Sequence, residues 1–486
     1  MFRKKERHSD PLIRKLMKLV GKEHVLHRQA DLVAYECDGF TLQRGKARAV
    51  VFPGETKEVS AVVRLLHRER VPFIARGAGT GLSGGATPLG GEVIISLVRM
   101  KKLLRVDLDN RTAVVQPGFV NLKLTQAISK DGYYYAPDPS SQYACTIGGN
   151  VAENAGGAHC LKYGVTTNHI LGAEVVLPDG EVIRLGEDGI PDQPGYDLLG
   201  LITGSEGTLG VVTEITVRIL KAPEGKQTIL AYFDDVEDGS RAVSDIISAG
   251  IVPAALEMMD RTAIEGVEAA NFPVGHPLDI EALLLIEVDG IEAGFQSEAE
   301  DIVDVCRKWN VREVKVAKDE QEAAAWWANR KTGFGAMGAI SPDYLVQDGV
   351  IPRSRLPEVL NKIRAISQET GLRIANIFHA GDGNLHPLIL FDAQKPGEKE
   401  KALQAGSRCL KACADAGGSI TGEHGVGIEK KEEMRFIFTD EEIEAQTRIR
   451  SVFNPDNLLN PDKLFPQPGR CAEVKQEIKE QQGLKV

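Results

Sequence analysis

Apolar runs of strand length alternate with amphipathic stretches along most of the chain. Residues 49–52 and 71–75 are two such runs, and from Thr56 to about residue 70 the spacing between them is helical, so the stretch predicts a β-α-β unit. Further runs at 93–97, 103–107 and 112–116 predict strands, and 121–130 a short helix. Residues 172–177 and 181–185 flank Pro178-Asp179-Gly180, whose Asp-Gly pair supplies the turn of a β-hairpin. One more strand is expected over 210–220, and then Lys221-Ala-Pro-Glu-Gly225, polar and broken by Pro and Gly, marks a domain boundary. Beyond it 228–233, 240–249, 282–288, 292–309 and 311–316 alternate strand and helix patterns, as in an α+β domain on an antiparallel sheet. Helices are expected at 319–331, with Trp326 and Trp327 in the core, and at 399–416, stopped by Gly417-Gly418. At the other end, Ser9-Asp10-Pro11 starts a helix whose Leu12, Leu16 and Leu19 share a side expected to pack on the body of the protein.

Two segments break this pattern. Residues 137–164 open with prolines and are interrupted by Gly148-Gly149 and Gly156-Gly157, which excludes a core helix or strand there and predicts shaped backbone. Between the glycine pairs lie small or amide side chains (Asn150, Ala152, Asn154, Ala155), a wall suited to a large flat ligand. The second segment, Arg76-Gly-Ala-Gly-Thr-Gly-Leu-Ser-Gly-Gly-Ala86, can turn several backbone N–H groups toward a phosphate pair. It contains GxGxxG, but a dinucleotide-binding turn must open a helix, whereas this one runs into the strand pattern at 93–98. The expectation is a strand-loop-strand cradle.

At 486 residues the chain exceeds one hydrophobic core, so two domains with appendages are expected. Apolar content of 42% and charged content of 26% fit a soluble globular protein, and no apolar run is long enough to span a bilayer. The basic start, Met1-Phe-Arg-Lys-Lys, leads into no apolar signal core, so a cytoplasmic location is expected. Seven scattered cysteines offer neither a disulfide framework nor an iron-sulfur ligand set. A net charge of -11 argues against nucleic acid as a partner, and it means that an anionic substrate needs local arginines. Residues 467–486 are polar and expected to be a loose tail.

Strand patterns at 373–378 and 387–391 flank His379-Ala-Gly-Asp-Gly-Asn-Leu-His386; paired as a hairpin, they bring the two histidines face to face, where they can share a metal. Thr421-Gly-Glu-His-Gly-Val-Gly427 adds a carboxylate, Glu423, and another imidazole, His424. Singly, each histidine reads as a hydrogen-bonded loop residue. As a set, two histidines and a carboxylate with open positions make a catalytic metal arrangement.

The two glycine loops, followed by Gly204-Ser-Glu-Gly-Thr-Leu-Gly-Val-Val-Thr-Glu-Ile215, resemble the FAD-binding domain of the vanillyl-alcohol oxidase and p-cresol methylhydroxylase flavoproteins. Asn154-Ala-Gly-Gly-Ala-His-Cys-Leu-Lys-Tyr-Gly164 is similar to the FAD-linked D subunits of bacterial glycolate oxidases, relatives of the D-lactate and D-2-hydroxyglutarate dehydrogenases. The resemblance runs from about residue 26 to 466 and implies an α+β protein. Its expected parts are an N-terminal helical segment (1–44), a two-subdomain FAD-binding domain of the p-cresol methylhydroxylase type (45–222) and an α+β cap domain on an antiparallel sheet (223–466). It implies that Arg76, Gly77, Ala78, Gly79, Thr80, Gly81, Ser83, Gly84, Pro139, Ser140, Thr146, Gly148, Gly149, Asn150, Asn154, Gly156, Gly157, Tyr163, Gly164, Glu206, Gly210 and Val212 hold FAD. The bond is expected to be noncovalent, because relatives that attach FAD through the first loop carry a histidine where this chain has Thr80.

The resemblance further implies a divalent metal, zinc, on His379, His386 and Glu423, with His424 as general base and Arg330 on the substrate carboxylate; Arg353 is a second candidate, equally readable as a surface charge. A metal has work to do here. An alcohol proton is held near pKa 15.7 and histidine titrates near 6.5, a gap of about 9 units or roughly 12 kcal/mol, and zinc lowers the pKa of bound water to about 7. The hydroxyglutarate enzymes carry a Thr and an Asn where this chain has Phe334 and Leu388, which favours a short monocarboxylate, glycolate or D-lactate, over a five-carbon diacid. The family's glycolate oxidases work with a second flavoprotein subunit and an iron-sulfur subunit, so such partners, and through them a place at the membrane, are implied. A noncatalytic flavoprotein subunit is the alternative, but it gives no reason to keep His379, His386, Glu423 and His424 together.

Overall fold

The computed structural model describes residues 10–186, 194–270 and 272–466, so the expected tail at 467–486 lies outside the described residues. The first helix, Pro11–Val20, starts where Asp10 accepts a hydrogen bond from the Leu12 amide at 3.0 Å. Its buried face is Leu12, Ile13, Leu16 and Val20, while Leu19, expected on that face, is 37% exposed. Leu16 is fully buried against the Thr56–Arg68 helix cluster, worth about 1.5–3 kcal/mol, so this helix is packed on the body.

The expected β-α-β unit forms as strand Ala49–Val51, helix Thr56–Arg68 and strand Phe73–Arg76. Its two strands are not neighbours: Val93–Ser96 lies between them, parallel to both, and Val25–Leu26 completes a four-stranded sheet. The glycine loop after Arg76 therefore joins two adjacent parallel strands without a helix. A second, five-stranded antiparallel sheet runs Leu103–Asp107, Thr112–Val115, Val211–Arg218, Ile170–Val176, Val182–Leu185, the last two forming the hairpin with Gly180 at φ +90° in its turn.

One expectation fails. Within 137–164, excluded above from core helix, the chain forms the helix Ile147–Glu153, with Ile147 and Val151 fully buried, and a short turn of helix at Cys160–Tyr163. Thr146 caps the first helix by accepting from the Gly149 amide, and burial of the Ile147 and Val151 pair, one turn apart, outweighs the low helix propensity of two glycines. The glycines serve close approach instead. A Cβ on Gly148 would stand 2.5 Å from the Pro117 Cβ, and one on Gly77 would stand 2.4 Å from the Thr146 hydroxyl, where the two loops cross.

The cap is one antiparallel sheet with helices on both faces. Alternation along the strand Gly225–Phe233 assigns the faces: Ile229, Ala231 and Phe233 meet the helices Val236–Ser248, Glu292–Lys308, Leu356–Thr370 and Glu398–Asp415. Leu230 and Tyr232 point the other way, to Trp326 and Trp327 and the helix Arg261–Ala269. The strand Ala255–Asp260 and the helix after it were not expected; the strand fills the centre of the sheet, between Ala282–Gly290 and Ile374–His379.

After the helix Asp440–Phe453 the chain leaves the cap and returns to the first sheet. The Phe73 amide donates to Leu458 O at 2.8 Å, Lys463 Nζ donates to Gly85 O at 2.6 Å, and Asn460 Nδ2 donates to Glu206 O at 2.8 Å. Arg450 ties the segment by donating to the Lys463 and Asn460 carbonyls. The closing residues thus brace the glycine loop from behind.

Candidate active site

A cavity of about 410 Å³ runs from the first glycine loop to the cap. Residues 76–81, Pro139, Ser140, Thr146, Gly148, Gly149, Asn150, Gly156, Glu206, Gly210 and Val212 line it, and so do Glu423 and His424. Six residues expected to hold the cofactor do not. Ser83 and Gly84 sit behind the loop against residues 427–428, and Asn154 ends the Ile147–Glu153 helix in the left-handed region, accepting from the Thr167 amide. Gly157 packs on the Asp138 backbone, Gly164 turns at φ +81°, and the Tyr163 hydroxyl donates to Asp289 in the cap. Arg76 contributes backbone, since its guanidinium donates to the Ala86 and Cys37 carbonyls and lies over the Tyr35 ring.

The cap reaches the cavity through the loop at 421–427. Glu206, at φ +52°, accepts from the amides of Val426 at 2.7 Å and Gly427 at 2.6 Å, pinning this loop to the flavoprotein-like domain. A Cβ on Gly156 would stand 2.7 Å from Glu423 Oε2, so the glycine pair at 156–157 lets the carboxylate approach.

Glu423 is the hub of the histidine cluster. Its Oε1 lies 3.4 Å from His379 Nε2, 3.2 Å from His386 Nε2 and 3.5 Å from His424 Nε2. The strands Ile374–His379 and Pro387–Phe391 pair antiparallel and bring the first two rings together edge to face, 5.1 Å between centroids; His424 stacks on His386 at 4.9 Å. The donor atoms of His379, His386 and Glu423 lie within 4.8 Å of one another. Ligands about 2.0–2.1 Å from a tetrahedral zinc stand about 3.3 Å apart, so the Glu423 distances fit an ion held among the three. Burial disfavours a charged Glu423, but the three imidazoles outweigh it and hold its carboxyl well below the usual range.

Two buried carboxylates that the sequence reading missed orient the cluster. Glu257 stands directly across the sheet from His379, accepts from its Nδ1 at 2.7 Å, and pairs through its other oxygen with Arg330. This fixes the tautomer that leaves His379 Nε2 free as a ligand. Asp348 Oδ2 accepts from the Thr421 hydroxyl and from the amides of Gly422, Glu423 and His424, at 2.6–3.1 Å, shaping the loop that carries ligand and base. Burial alone would raise the Asp348 pKa, yet His424, Lys430 and His386 pull it down to about 2. Burial likewise opposes a proton on His424, and Asp348 with Glu423 outweighs it, raising that pKa. A lone acid in the apolar run Ala254-Ala-Leu-Glu-Met-Met259 was the available signal for Glu257, because a buried carboxylate must find a partner.

Other expected residues divide. Phe334 lines the cavity and meets the edge of His386, while Leu388 is buried in the core behind it. Arg330, 4% exposed, does not line the cavity; its guanidinium faces Glu257 and its Nε is buried without a hydrogen-bond partner. Arg353 donates to Gly381 O within the cap.

Comparison with known proteins agrees with this architecture. A family model for an FAD binding domain matches residues 47–186, and one for the C-terminal domain of FAD linked oxidases matches residues 222–464. The glycolate oxidase subunit GlcD of Escherichia coli (strain K12) is 50% identical over 93% of this chain and 91% of its own. A D-lactate dehydrogenase of Anaerostipes hadrus is 34% identical over 86% of this chain and 90% of its own. The solved p-cresol methylhydroxylase with substrate bound superposes with a TM-score of 0.78 at 18% identity, covering 93% of this chain and 95% of that one, which shows a shared fold.

Proposed function

The chain belongs to the FAD-linked oxidases and is an FAD-dependent oxidoreductase of hydroxy acids; from that premise we propose that it oxidises a short 2-hydroxy monocarboxylate, glycolate or D-lactate, to the 2-oxo acid. The carrying observation is that one cavity holds both glycine loops on one wall and Glu423 with His424 on the other. The loop residues would hold the cofactor in the same cavity that Glu423 and His424 line.

FAD held by the glycine-loop residues would supply the hydride acceptor for the α-carbon. A divalent ion on His379, His386 and Glu423 would make the α-hydroxyl acidic enough for a histidine to deprotonate. His424 takes that proton at Nε2, the ring nitrogen turned toward Glu423. Asp348 holds the His424 backbone while this happens, and its charge favours the imidazolium that forms. Phe334 closes the cavity with an apolar face, so a distal carboxylate would be desolvated there without a partner. Arg330 stands behind the site, paired with the Glu257 carboxylate that orients His379. Thr80 on the cavity wall leaves the cofactor held without a covalent bond.

The relatives named as subunits suggest that this chain also works as one, passing electrons to a partner. Among the described residues no helix is long and apolar enough to cross a membrane. The test is anaerobic: glycolate and D-lactate should bleach the flavin faster than D-2-hydroxyglutarate at equal concentration. Faster bleaching by the diacid would overturn the substrate assignment.

A further inference from the structure

The chain carries a net charge of -11, and its proposed substrates are anions, so something must offset that charge where the substrate enters. Arg330 is committed to Glu257 and does not line the cavity. Among the described residues that do line it, the Lys and Arg side chains are Arg76, whose guanidinium is taken by backbone carbonyls, and Lys331.

Lys331 follows Arg330 at the end of the helix Glu320–Lys331, and one helical step turns it from the core to the cavity. It also lines a second and wider groove of about 1600 Å³ between the two domains, which shares Ser140 and Lys331 with the inner cavity. Lys331 therefore stands where the outer groove meets the inner site. Its side chain is 31% exposed, with Nζ 3.5 Å from Asp138 Oδ2 and 5.5 Å from the centre of the Trp327 ring.

Asp138 does not cancel it. That carboxylate is already bound by His159 at 2.9 Å, and His159 in turn lies 3.3 Å from Glu287, which Lys226 approaches at 3.3 Å. The cluster thus sets the cations His159, Lys226 and Lys331 against the anions Asp138 and Glu287, a surplus of one positive charge within the cluster, which lies along the outer groove and reaches the inner cavity through Lys331. Asp138 and Glu287 outweigh the burial of His159 and push its pKa up to about 10, which favours the charged ring.

We propose that Lys331 is a further substrate-binding residue, whose ammonium donates to the carboxylate of the incoming 2-hydroxy acid at the junction of groove and cavity. This rests on the proposed function. It makes Lys331 a binding group and leaves the proton to His424.

The experiment uses the FAD-loaded protein and glycolate in anaerobic stopped flow. A charge-assisted hydrogen bond lost at this site raises the half-saturating glycolate concentration of Lys331→Met about tenfold, with a much smaller change in the limiting rate of flavin bleaching. Lys331→Arg restores most of the affinity. Oxalate, a two-carbon dianion that cannot be oxidised at an α-carbon, should perturb the flavin spectrum of Lys331→Met only at correspondingly higher concentration. If Lys331→Met loses its FAD, Lys331→Gln, which keeps a polar group beside Asp138, provides the comparison. Unchanged half-saturation for glycolate and oxalate in a charge-removing variant overturns the assignment of Lys331 while leaving the proposed function standing. A wild-type flavin that neither glycolate nor D-lactate bleaches overturns the function itself.

Discussion

Glu257→Gln tests whether one buried carboxylate orients both a metal ligand and the arginine behind it. The side chains of Glu257 and Arg330 are 1% and 5% exposed, and the histidine joined to the same carboxylate is 7% exposed. Glutamine keeps the shape and one acceptor but removes the charge, so the Arg330 guanidinium is left buried without a counter-charge. Breaking a buried pair in this way costs about 3–5 kcal/mol, and the retained acceptor places the variant at the low end, about 3 kcal/mol. Removing both charges in Glu257→Gln with Arg330→Met should cost less than the two single changes added together, because the stranded charge is gone. His379 also loses its charged Nδ1 acceptor, and partners of that kind are worth about 10- to 100-fold in metal affinity. Urea unfolding of the FAD-loaded protein, followed by circular dichroism, reads the first effect; competition with a zinc-binding dye reads the second. A loss below about 1 kcal/mol with unchanged zinc affinity would refute the reasoning.

His159 supplies a pH prediction: its pKa is about 10 in the folded protein against about 6.5 unfolded, so its contribution is complete below pH 6.5 and disappears as pH rises through 10. With its side chain 22% exposed the effect is screened to about 3 kcal/mol or less, and His159→Gln should flatten the fall in melting temperature between pH 7 and 10; an unchanged fall would assign it to other groups. His379→Ala should lower bound metal, whereas His424→Gln should keep metal and FAD but slow bleaching by about 10²- to 10⁴-fold. Full metal occupancy in the first, or near wild-type bleaching in the second, would dismantle the proposed roles.

Much of this architecture was legible in the chain because local pattern and tertiary burial agree. The run at 387–391 is apolar at every position and that at 282–288 at every position but Glu287, and both became strands covered on both faces. The histidine pair was legible because a short hairpin brings His379 and His386 together over few residues. Glu257 was not, since it meets His379 across 122 residues of chain and through a cross-strand register that no local pattern encodes. Asp348 hid for the same reason, 73–76 residues from the loop hydroxyl and amides it collects. The helix Ile147–Glu153 was misread because its two glycines were weighed as propensity, while Gly148 serves to clear space for Pro117. Lys331 and Arg330 are neighbours in sequence with opposite surroundings, and only the helix's rotation against the cap core separates them.

The return of residues 458–463 to the first sheet also orders the events of biogenesis. The glycine loop at 76–86 is made early, but Gly85 O waits for Lys463 and Asn460, and Phe73 N waits for Leu458. During synthesis the nucleotide-binding half therefore leaves the ribosome about 380 residues ahead of its own brace. Stable flavin capture is thus expected only once residues 458–463 are in place, and a chain halted between Phe453 and Leu458 should lack the brace and fail to turn yellow.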